Sequence, residues 1–232
     1  MTQKNPHPSR RMLSVRVKTA AKRKISSTRW LARQLNDPYV QEAKSRGFRS
    51  RAAFKLEQLD DKYSLLKPGM KVVDLGAAPG GWTQIAVARA KPAQTGGCVV
   101  GIDLLPIDPI PDSILIEGDF MEGDAPDKLK TLIGGEADFV MSDMAPYTMG
   151  HRQTDHLRVM ALVEAAYAFA FEVLKPGGIF LAKLFQGNAE EDLLRTLKRD
   201  FEKVRHVKPD ASRKESSEVY VLATGFRGKH PS

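Results

Sequence analysis

The feature that most constrains the fold of this 232-residue chain is the alternation of short apolar runs with helical patterns after residue 70. Seven apolar runs have the length of β-strands, and helical stretches separate most of them. Such alternation requires right-handed crossovers, so the strands form a mostly parallel sheet with helices on both faces. The predicted strands cover residues 70–75, 98–103, 113–117, 137–142, 179–185, 203–207 and 218–223. The predicted fold class is therefore α/β.

Helices are predicted both before and after the first strand in the sequence. Four follow it, at 81–91, 126–133, 156–174 and 189–201, and three shorter ones precede it. Ser26 or Ser27 is predicted to cap the first of these, which ends at Asn36-Asp37-Pro38. In the third, within residues 49–63, Lys55 falls about 60° from the apolar stripe, at the boundary between core and water. The tetrapeptide LKPG, at 66–69 and 174–177, is predicted to end a helix and turn the chain before a strand.

The first strand runs into a glycine-rich loop in the segment VVDLGAAPGGW, residues 72–82. A phosphate-binding P-loop ends in Gly-Lys-Ser/Thr, whereas Gly81, Trp82 and Thr83 follow Gly80 here. A dinucleotide-binding loop prefers a central glycine, and that position is Ala78. The loop therefore argues against a nucleoside triphosphate and weakens the case for a dinucleotide.

Aspartates stand at the ends of three successive predicted strands: Asp74, Asp103 and Asp119. Carboxyl ends of parallel strands meet at one edge of a sheet, where ligands bind. Asp74 could accept from an amine, Asp103 could bind a ribose diol, and Asp119 could accept from an adenine amine. Together they suit a nucleoside that carries an amino acid and a positive charge, and we predict that the ligand is S-adenosylmethionine.

A second group of charged residues lies at the ends of later strands. Asp143 ends the apolar strand in FVMSDMAPY, Lys183 lies inside IFLAKLFQG, and Glu218 begins the strand in SSEVYVLATG. A lysine within an apolar strand is costly to bury unless it is paired. Asp143 and Glu218 are its natural partners, either in a structural ion pair or in an active site.

The positive charge is concentrated at the N-terminus. Nine of the 36 Lys and Arg residues lie in residues 1–29, which contain no Asp or Glu, whereas residues 30–232 carry 27 basic and 28 acidic side chains. We predict a flexible basic arm over residues 1–25 that meets a polyanion, followed by one domain over 26–232. The single cysteine and the absence of a long apolar run favour a cytoplasmic protein without a membrane span.

Residues 26–225 resemble the RlmE family of ribosomal RNA methyltransferases, also called FtsJ or RrmJ. The resemblance is carried, in order along the chain, by the segments RSRAAFKL, VVDLGAAPGGW, GIDLLPIDPI, GDF, VMSDMAP, KLFQG and KPDASRKESSEVYVLATG. It implies a Rossmann-like fold and S-adenosylmethionine-dependent 2′-O-methylation of a uridine ribose in large-subunit ribosomal RNA. The implied target lies in the aminoacyl-tRNA-binding loop, presented on an assembled subunit.

The resemblance also implies functional residues by their place in these motifs. The implied catalytic set consists of Lys55, Asp143, Lys183 and Glu218. The implied cofactor-binding residues are Gly80, Trp82, Asp103, Asp119 and Asp143. No metal is expected, because the methyl donor is already activated and the enzyme has mainly to align the reacting atoms.

The role of Lys183 follows from elementary acid–base chemistry. An unperturbed lysine is almost fully protonated at neutral pH, and neighbouring carboxylates favour that form. We therefore expect Lys183 to orient the hydroxyl group and stabilise negative charge on its oxygen rather than to act as a base. Asp143 would hold the ammonium, while Lys55 and Glu218 would hold Lys183 and the target ribose.

The RNA is expected to enter over a basic surface, and the protein is expected to be a monomer. Besides the arm, that surface comprises Lys44, Arg46, Arg49 and Arg51 on one rim and Arg213 and Lys214 on the other. An exposed ribose 2′-hydroxyl distinguishes RNA from DNA at such a site. Two other functions stay open: a nicotinamide oxidoreductase, and a ribosome-assembly factor that binds RNA without catalysis.

Overall fold

The computed structural model describes residues 25–146, 152–185, 190–213 and 216–229. The predicted basic arm lies outside these residues except for Ile25. The strands are β1 (Lys71–Leu75), β2 (Cys98–Asp103), β3 (Ile114–Glu117), β4 (Ala137–Ser142), β5 (Leu174–Phe185), β6 (Phe201–Val207) and β7 (Glu218–Phe226). The helices are α1 (Ile25–Asn36), α2 (Pro38–Arg46), α3 (Ala53–Tyr63), α4 (Gly81–Ala90), α5 (Pro92–Thr95), α6 (Ala125–Ile133), α7 (Arg152–Val173) and α8 (Glu191–Asp200).

The seven strands form one sheet in the order β3-β2-β1-β4-β5-β7-β6. The first five strands in this order pair in parallel, while β7 pairs antiparallel with both β5 and β6. The prediction of a mostly parallel, seven-stranded α/β sheet is confirmed. Because the order reverses at β1, the carboxyl ends of β1 and β4 lie side by side, where a sheet of this class binds its ligands.

Helices cover both faces of the sheet, so the central strands are apolar on both sides. On one face α6, α7 and α8 pack against the sheet, and the predicted apolar side of the long helix is buried there. On the other face α3 and α4 enclose a second core that includes Trp82 and Tyr220. The predicted catalytic residues described below belong to this second face.

The N-terminal helices meet at a well-capped junction. Asp37 caps α2 by accepting a hydrogen bond from the Tyr39 backbone N–H at 3.0 Å, and Pro38 occupies the first turn. The predicted break at residues 36–38 is confirmed, because α1 ends at Asn36. The predicted cap at Ser26 or Ser27 is wrong, since α1 already includes Ile25 and both serines lie inside the helix.

The strand β5 is longer than its apolar pattern predicts. The helix before it ends at Val173 as expected, but Leu174 already pairs with Ala137 of β4. The pairing between β4 and β5 is then interrupted and resumes where Ile179 lies opposite Phe139. Within the interruption, Gly177 has a φ of 83°, a conformation that favours glycine. The second LKPG segment is therefore an irregular start of the strand rather than a turn before it.

Candidate active site

The four predicted catalytic residues come from four elements that meet at one edge of the sheet. Asp143 directly follows β4, and Lys183 lies near the end of β5. Since β7 runs antiparallel to β5, its first residue, Glu218, pairs with Phe185 at the same end. Lys55 reaches this edge from α3, which packs over it. The fold thus brings all four residues together.

Asp143 and Lys183 form the closest pair. The ammonium of Lys183 donates to the Asp143 carboxylate at 2.7 Å and to the Asp143 backbone carbonyl at 2.7 Å. In the described part of the chain, no acceptor lies within hydrogen-bonding distance of its third N–H, and the Glu218 carboxylate is 4.0 Å away. One donor of Lys183 is therefore left for a ligand.

Lys55 and Glu218 form the second pair. The Lys55 ammonium lies 2.7 Å from the Glu218 carboxylate, which also accepts from the Ser212 hydroxyl at 2.9 Å. The sequence predicts Lys55 at the boundary between core and water, but the residue is only 7% exposed. That prediction is wrong because tertiary partners compensate the buried charge, which the helical pattern alone cannot reveal.

Tyr220 joins the two pairs and was missed in the sequence. Its hydroxyl donates to the Asp143 carboxylate at 2.7 Å and accepts from the Lys55 ammonium at 3.1 Å. Tyr220 lies two residues after Glu218 in β7 and opposite Lys183 of β5, so all three side chains share one face of the sheet. The period of two along the strand was the signal that could have identified it.

The charges of this cluster shape its protonation states. Burial would raise the pKa of Asp143, but the ammonium groups of Lys183 and Lys55 outweigh burial and hold that pKa below its ordinary value. Burial and the carboxylates of Asp143 and Glu218 raise the pKa of Tyr220 well above its ordinary value. Asp143 is therefore an anion and Tyr220 a neutral donor at physiological pH. The formal charges of the two lysines and the two carboxylates balance one another.

Asp74 has a structural position rather than the ligand contact predicted for it. Its side chain is fully buried, and one carboxylate oxygen accepts from the Thr83 hydroxyl at 2.7 Å. The other oxygen has no hydrogen-bond partner among the described residues. Burial raises the pKa of Asp74 to about 7, and the charges of Asp143 and Asp103 add to this effect. The prediction that Asp74 accepts from a ligand amine is not supported.

Asp103 and Asp119 lie in the lining of a cavity of about 500 Å³ beyond the ends of β1 and β2. Asp103 accepts from the backbone N–H groups of Ala78 and Leu105, both at 2.9 Å. These bonds fix its carboxylate between the glycine loop and the chain after β2. Asp119 accepts from the Met121 N–H at 2.8 Å with one oxygen only.

The cavity has the size and chemistry that an adenosine-containing ligand requires. Its volume lies within the range of small-molecule sites, and apolar side chains form most of its walls. These walls include Ile102, Leu104, Phe120, Met121 and Leu162. The two carboxylates supply acceptors for hydroxyl and amine groups, so the residues present fit S-adenosylmethionine. Met144, which directly follows Asp143, also lines the cavity and links it to the catalytic cluster.

The other predicted cofactor residues lie beside this cavity, outside its lining. Gly80 is the N-cap of α4 and has a φ of 110°, which favours glycine, and a Cβ there would lie 2.6 Å from the Ile110 side chain. Trp82 is buried, and its indole N–H donates to the Ala52 carbonyl at 2.9 Å. Contact of Gly80, Trp82 or Asp143 with the cofactor stays a prediction.

The predicted basic rims are largely engaged in contacts within the protein. Arg46 binds Glu57, Arg51 binds Asp37 at 2.8 Å, and Arg213 lies 3.5 Å from Asp37. Arg49 donates to three backbone carbonyls, and Lys214 lies outside the described residues. Only Lys44 of this set is exposed and without an ion pair in the described part of the chain. The entry of RNA over this surface stays a prediction.

The described residues contain neither a membrane-spanning helix nor a cluster of metal ligands. No helix among them is long and apolar enough to span a membrane. No group of three or more His, Cys, Asp and Glu side chains that could hold a metal ion occurs in the same ranges. Cys98 is a free thiol, half-buried at the start of β2.

The chain is similar to proteins that transfer methyl groups to ribosomal RNA. Residues 48–226 match the model of the FtsJ-like methyltransferase family. A Paramagnetospirillum magneticum protein named ribosomal RNA large subunit methyltransferase E is 60% identical over 229 residues, 98% of this chain and 94% of that protein. A Bradyrhizobium diazoefficiens protein of the same name is 63% identical over 93% of this chain and 95% of its own length.

Solved structures agree with the sequence comparisons. A Plasmodium falciparum chain described as a ribosomal RNA methyltransferase superposes with a TM-score of 0.70 at 30% identity, over 78% of this chain and 100% of that chain. The predicted Rossmann-like methyltransferase fold and the S-adenosylmethionine cofactor are confirmed by these findings, which do not favour a nicotinamide oxidoreductase or a non-catalytic factor. The chain belongs to the FtsJ-like methyltransferase family.

Proposed function

We propose that this methyltransferase modifies the ribose 2′-oxygen of a uridine in large-subunit ribosomal RNA. The observation that carries the proposal is the buried cluster of Lys183, Asp143, Lys55 and Glu218 next to the cofactor cavity. Such a cluster suits a hydroxyl nucleophile, which must be oriented and lose a proton. The ribosomal substrate is supported by relatives named large subunit methyltransferase at about 60% identity.

Asp143 and Lys183 are assigned to the reacting atoms. S-adenosylmethionine, when bound, supplies a methyl group on a positively charged sulfur. Lys183 has one N–H that neither oxygen of Asp143 occupies, and this donor can bind the attacking 2′-oxygen. Its charge stabilises the negative charge that grows on that oxygen as the hydroxyl proton passes to water. Asp143 fixes the ammonium in place through two hydrogen bonds and adds negative charge near the cavity.

Lys55 and Glu218 are assigned to holding the geometry. The Glu218 carboxylate lies between the two lysines, 2.7 Å from Lys55 and 4.0 Å from Lys183, so it reduces their mutual repulsion. Ser212 orients the same carboxylate. A positioned reactant needs little further catalysis when its electrophile is already activated, so alignment by this frame supplies most of the rate enhancement.

The RNA partner is proposed to bind over the edge of the sheet that carries this cluster. Because the arginines of the predicted rims are engaged within the protein, the basic residues 1–29 become the main source of phosphate contacts. An enzyme that modifies ribosomal RNA acts where ribosomes are assembled, which agrees with the expected cytoplasmic location. We keep the expectations of an assembled subunit as substrate and of a monomeric enzyme.

The proposal is tested by mapping 2′-O-methylated nucleotides by mass spectrometry in ribosomal RNA from cells that lack the protein. One uridine of the large-subunit RNA is expected to lose its ribose methyl group and to regain it when the wild-type gene is returned. Lys183→Ala should bind the cofactor but fail to restore the methyl group, and Lys183→Arg should restore little.

The matched control is Lys175→Met, which alters an exposed lysine of the same strand that pairs with Asp138. This variant should restore methylation fully. A methyl group lost from a base instead of a ribose would contradict the proposal. Wild-type turnover by Lys183→Ala would contradict the role given to that residue.

A further inference from the structure

The short connection between α2 and α3, residues 47–52, is tied to the glycine loop through Arg49. Its guanidinium donates to the carbonyl oxygens of Pro79 at 3.2 Å, Asp108 at 2.5 Å and Pro109 at 2.7 Å. Pro79 belongs to the glycine loop, whereas Asp108 and Pro109 belong to the loop that follows β2. A single side chain thus joins two loops that are 30 and 60 residues away in sequence.

Both joined loops form walls of the cofactor cavity. Gly76 of the glycine loop and Leu104 of the loop after β2 line it directly. The two loops also touch behind the cavity, where a Cβ on Gly80 would lie 2.6 Å from the Ile110 side chain and 3.1 Å from the Arg49 guanidinium. Arg49 therefore lies at a junction between the two loops.

The chemistry of these contacts differs from that of an arginine that binds phosphate. Arginine has five N–H donors and no acceptor. In Arg49 both terminal nitrogens donate to backbone carbonyls of these two irregular loops. Hydrogen bonds from a charged donor are about twice as strong as neutral ones. The three Arg49 hydrogen bonds therefore stabilise the loops more than backbone contacts alone would.

A neighbouring glutamine reinforces the same connection. The Gln84 side chain in α4 accepts from the Arg49 backbone N–H at 2.9 Å and donates to the Gly47 carbonyl at 3.0 Å. The backbone of Arg49 is thereby fixed, and its side chain starts from a defined position. Because its backbone is already fixed, Arg49 loses little further conformational freedom when its guanidinium binds the loop carbonyls.

We propose that Arg49 is a positioning residue for the S-adenosylmethionine site and that it does not serve as a phosphate contact for RNA. By holding the glycine loop against the loop after β2, it keeps the cavity walls in their binding geometry before the cofactor arrives. The proposal rests on the assignment of this cavity to the cofactor, but it does not depend on which nucleotide the enzyme methylates.

The test compares Arg49→Met, Arg49→Lys and Arg46→Met in the full-length protein. Arg46 is the matched control, because it lies three residues earlier, binds the Glu57 carboxylate, and has no contact with either loop among the described residues. Three quantities are measured: the Kd for S-adenosylhomocysteine by calorimetry, the Kd for a fluorescein-labelled single-stranded RNA at two salt concentrations, and the KM and kcat for S-adenosylmethionine.

Arg49→Met should raise the Kd for S-adenosylhomocysteine and the KM for S-adenosylmethionine about tenfold, which corresponds to binding-competent loops in about one tenth of the molecules. At saturating cofactor, kcat should stay within about threefold of wild type, since the catalytic cluster is intact. Arg49→Lys should have an intermediate effect because it keeps the charge and some of the donors. Arg46→Met should leave cofactor binding unchanged.

Opposite results would overturn the proposal. If Arg49 contacts phosphate, Arg49→Met should weaken RNA binding and lower its salt dependence by about one phosphate contact, with cofactor binding unchanged. A merely structural role would lower kcat and leave KM unchanged, because fewer molecules would be active. If Arg49→Met does not fold, the Kd of Arg49→Lys decides: a value within twofold of wild type contradicts the proposal. Loss of the expected ribose methyl site in cells would contradict the proposed function and leave these binding results intact.

Discussion

The buried carboxyl group of Asp74 leads to a pH-dependent prediction that tests the environment of the glycine loop. Asp74 is fully buried at the end of β1, and a single side-chain hydrogen bond, from Thr83, reaches its carboxylate. Burial raises the pKa of Asp74 from the ordinary 3.8 to about 7. Asp74→Asn keeps the shape and an acceptor for Thr83 but removes the ionisation.

The magnitude follows from this difference in pKa. Each pKa unit corresponds to about 1.4 kcal/mol, so ionised Asp74 lowers the stability of the wild type by about 4 kcal/mol above pH 7. Since the folded-state pKa is raised, the folded protein binds more protons than the unfolded chain between about pH 4 and pH 7. Stability contributed by the protonated group is therefore present at low pH and is lost as the pH rises through about 7.

The assay is urea denaturation of the wild type and Asp74→Asn at pH 5 and pH 8. The difference in the free energy of unfolding should shift in favour of the variant by roughly 3 kcal/mol between these two pH values. Any cost of fitting the amide is the same at both, so it cancels from this comparison. Asp112→Asn, at an exposed turn, is the control for removal of one carboxylate. An equal difference at pH 5 and pH 8 would refute the reasoning.

Three other changes test separate contacts. Tyr220→Phe removes a buried partner of Asp143 and Lys55, so urea denaturation should show a loss of about 1–3 kcal/mol, and unchanged stability would count against the network. Ser212→Ala removes a hydrogen bond to the Glu218 carboxylate. The kcat should fall several-fold, which corresponds to about 1 kcal/mol in activation free energy, and Ser212→Thr should restore it. An unaffected kcat would show that Ser212 is dispensable. Removal of residues 1–25 should weaken RNA binding and flatten its salt dependence, and an unchanged slope would show that the arm makes no phosphate contacts.

Much of the fold could be predicted because its signals are local. The apolar runs of β2 and β4 coincide with the predicted strands at both ends, and α4 and α6 begin or end within one residue of the prediction. Part of the site was predictable as well, because two of its residues stand out in the apolar patterns of their own strands. Asp143 directly follows β4, Lys183 lies in the neighbouring parallel strand β5, and the burial cost of a lysine points to a nearby carboxylate.

The parts that could not be predicted depend on tertiary partners. Lys55 is buried because Glu218 and Tyr220 reach it from β7, more than 160 residues later in the chain. The arginines at positions 49 and 51 look like free surface charges in the sequence, yet they donate to carbonyls and to Asp37. Periodicity reports which face of an element is apolar, but it carries no information about which distant group neutralises a charge.

The tryptophan after the glycines shows how the two halves of the site depend on each other. Trp82 donates to the carbonyl of Ala52, three residues before Lys55, and its ring centroid lies 5.6 Å from that of Tyr220. The helix α4, which directly follows the glycine loop, therefore packs against Tyr220 and contacts the start of α3, the helix that carries Lys55. A lysine at this position, as in a P-loop, would replace the ring that packs against Tyr220 with an added cation near the charged cluster. The aromatic side chain at position 82 is thus explained by packing and charge even without a contact to the cofactor.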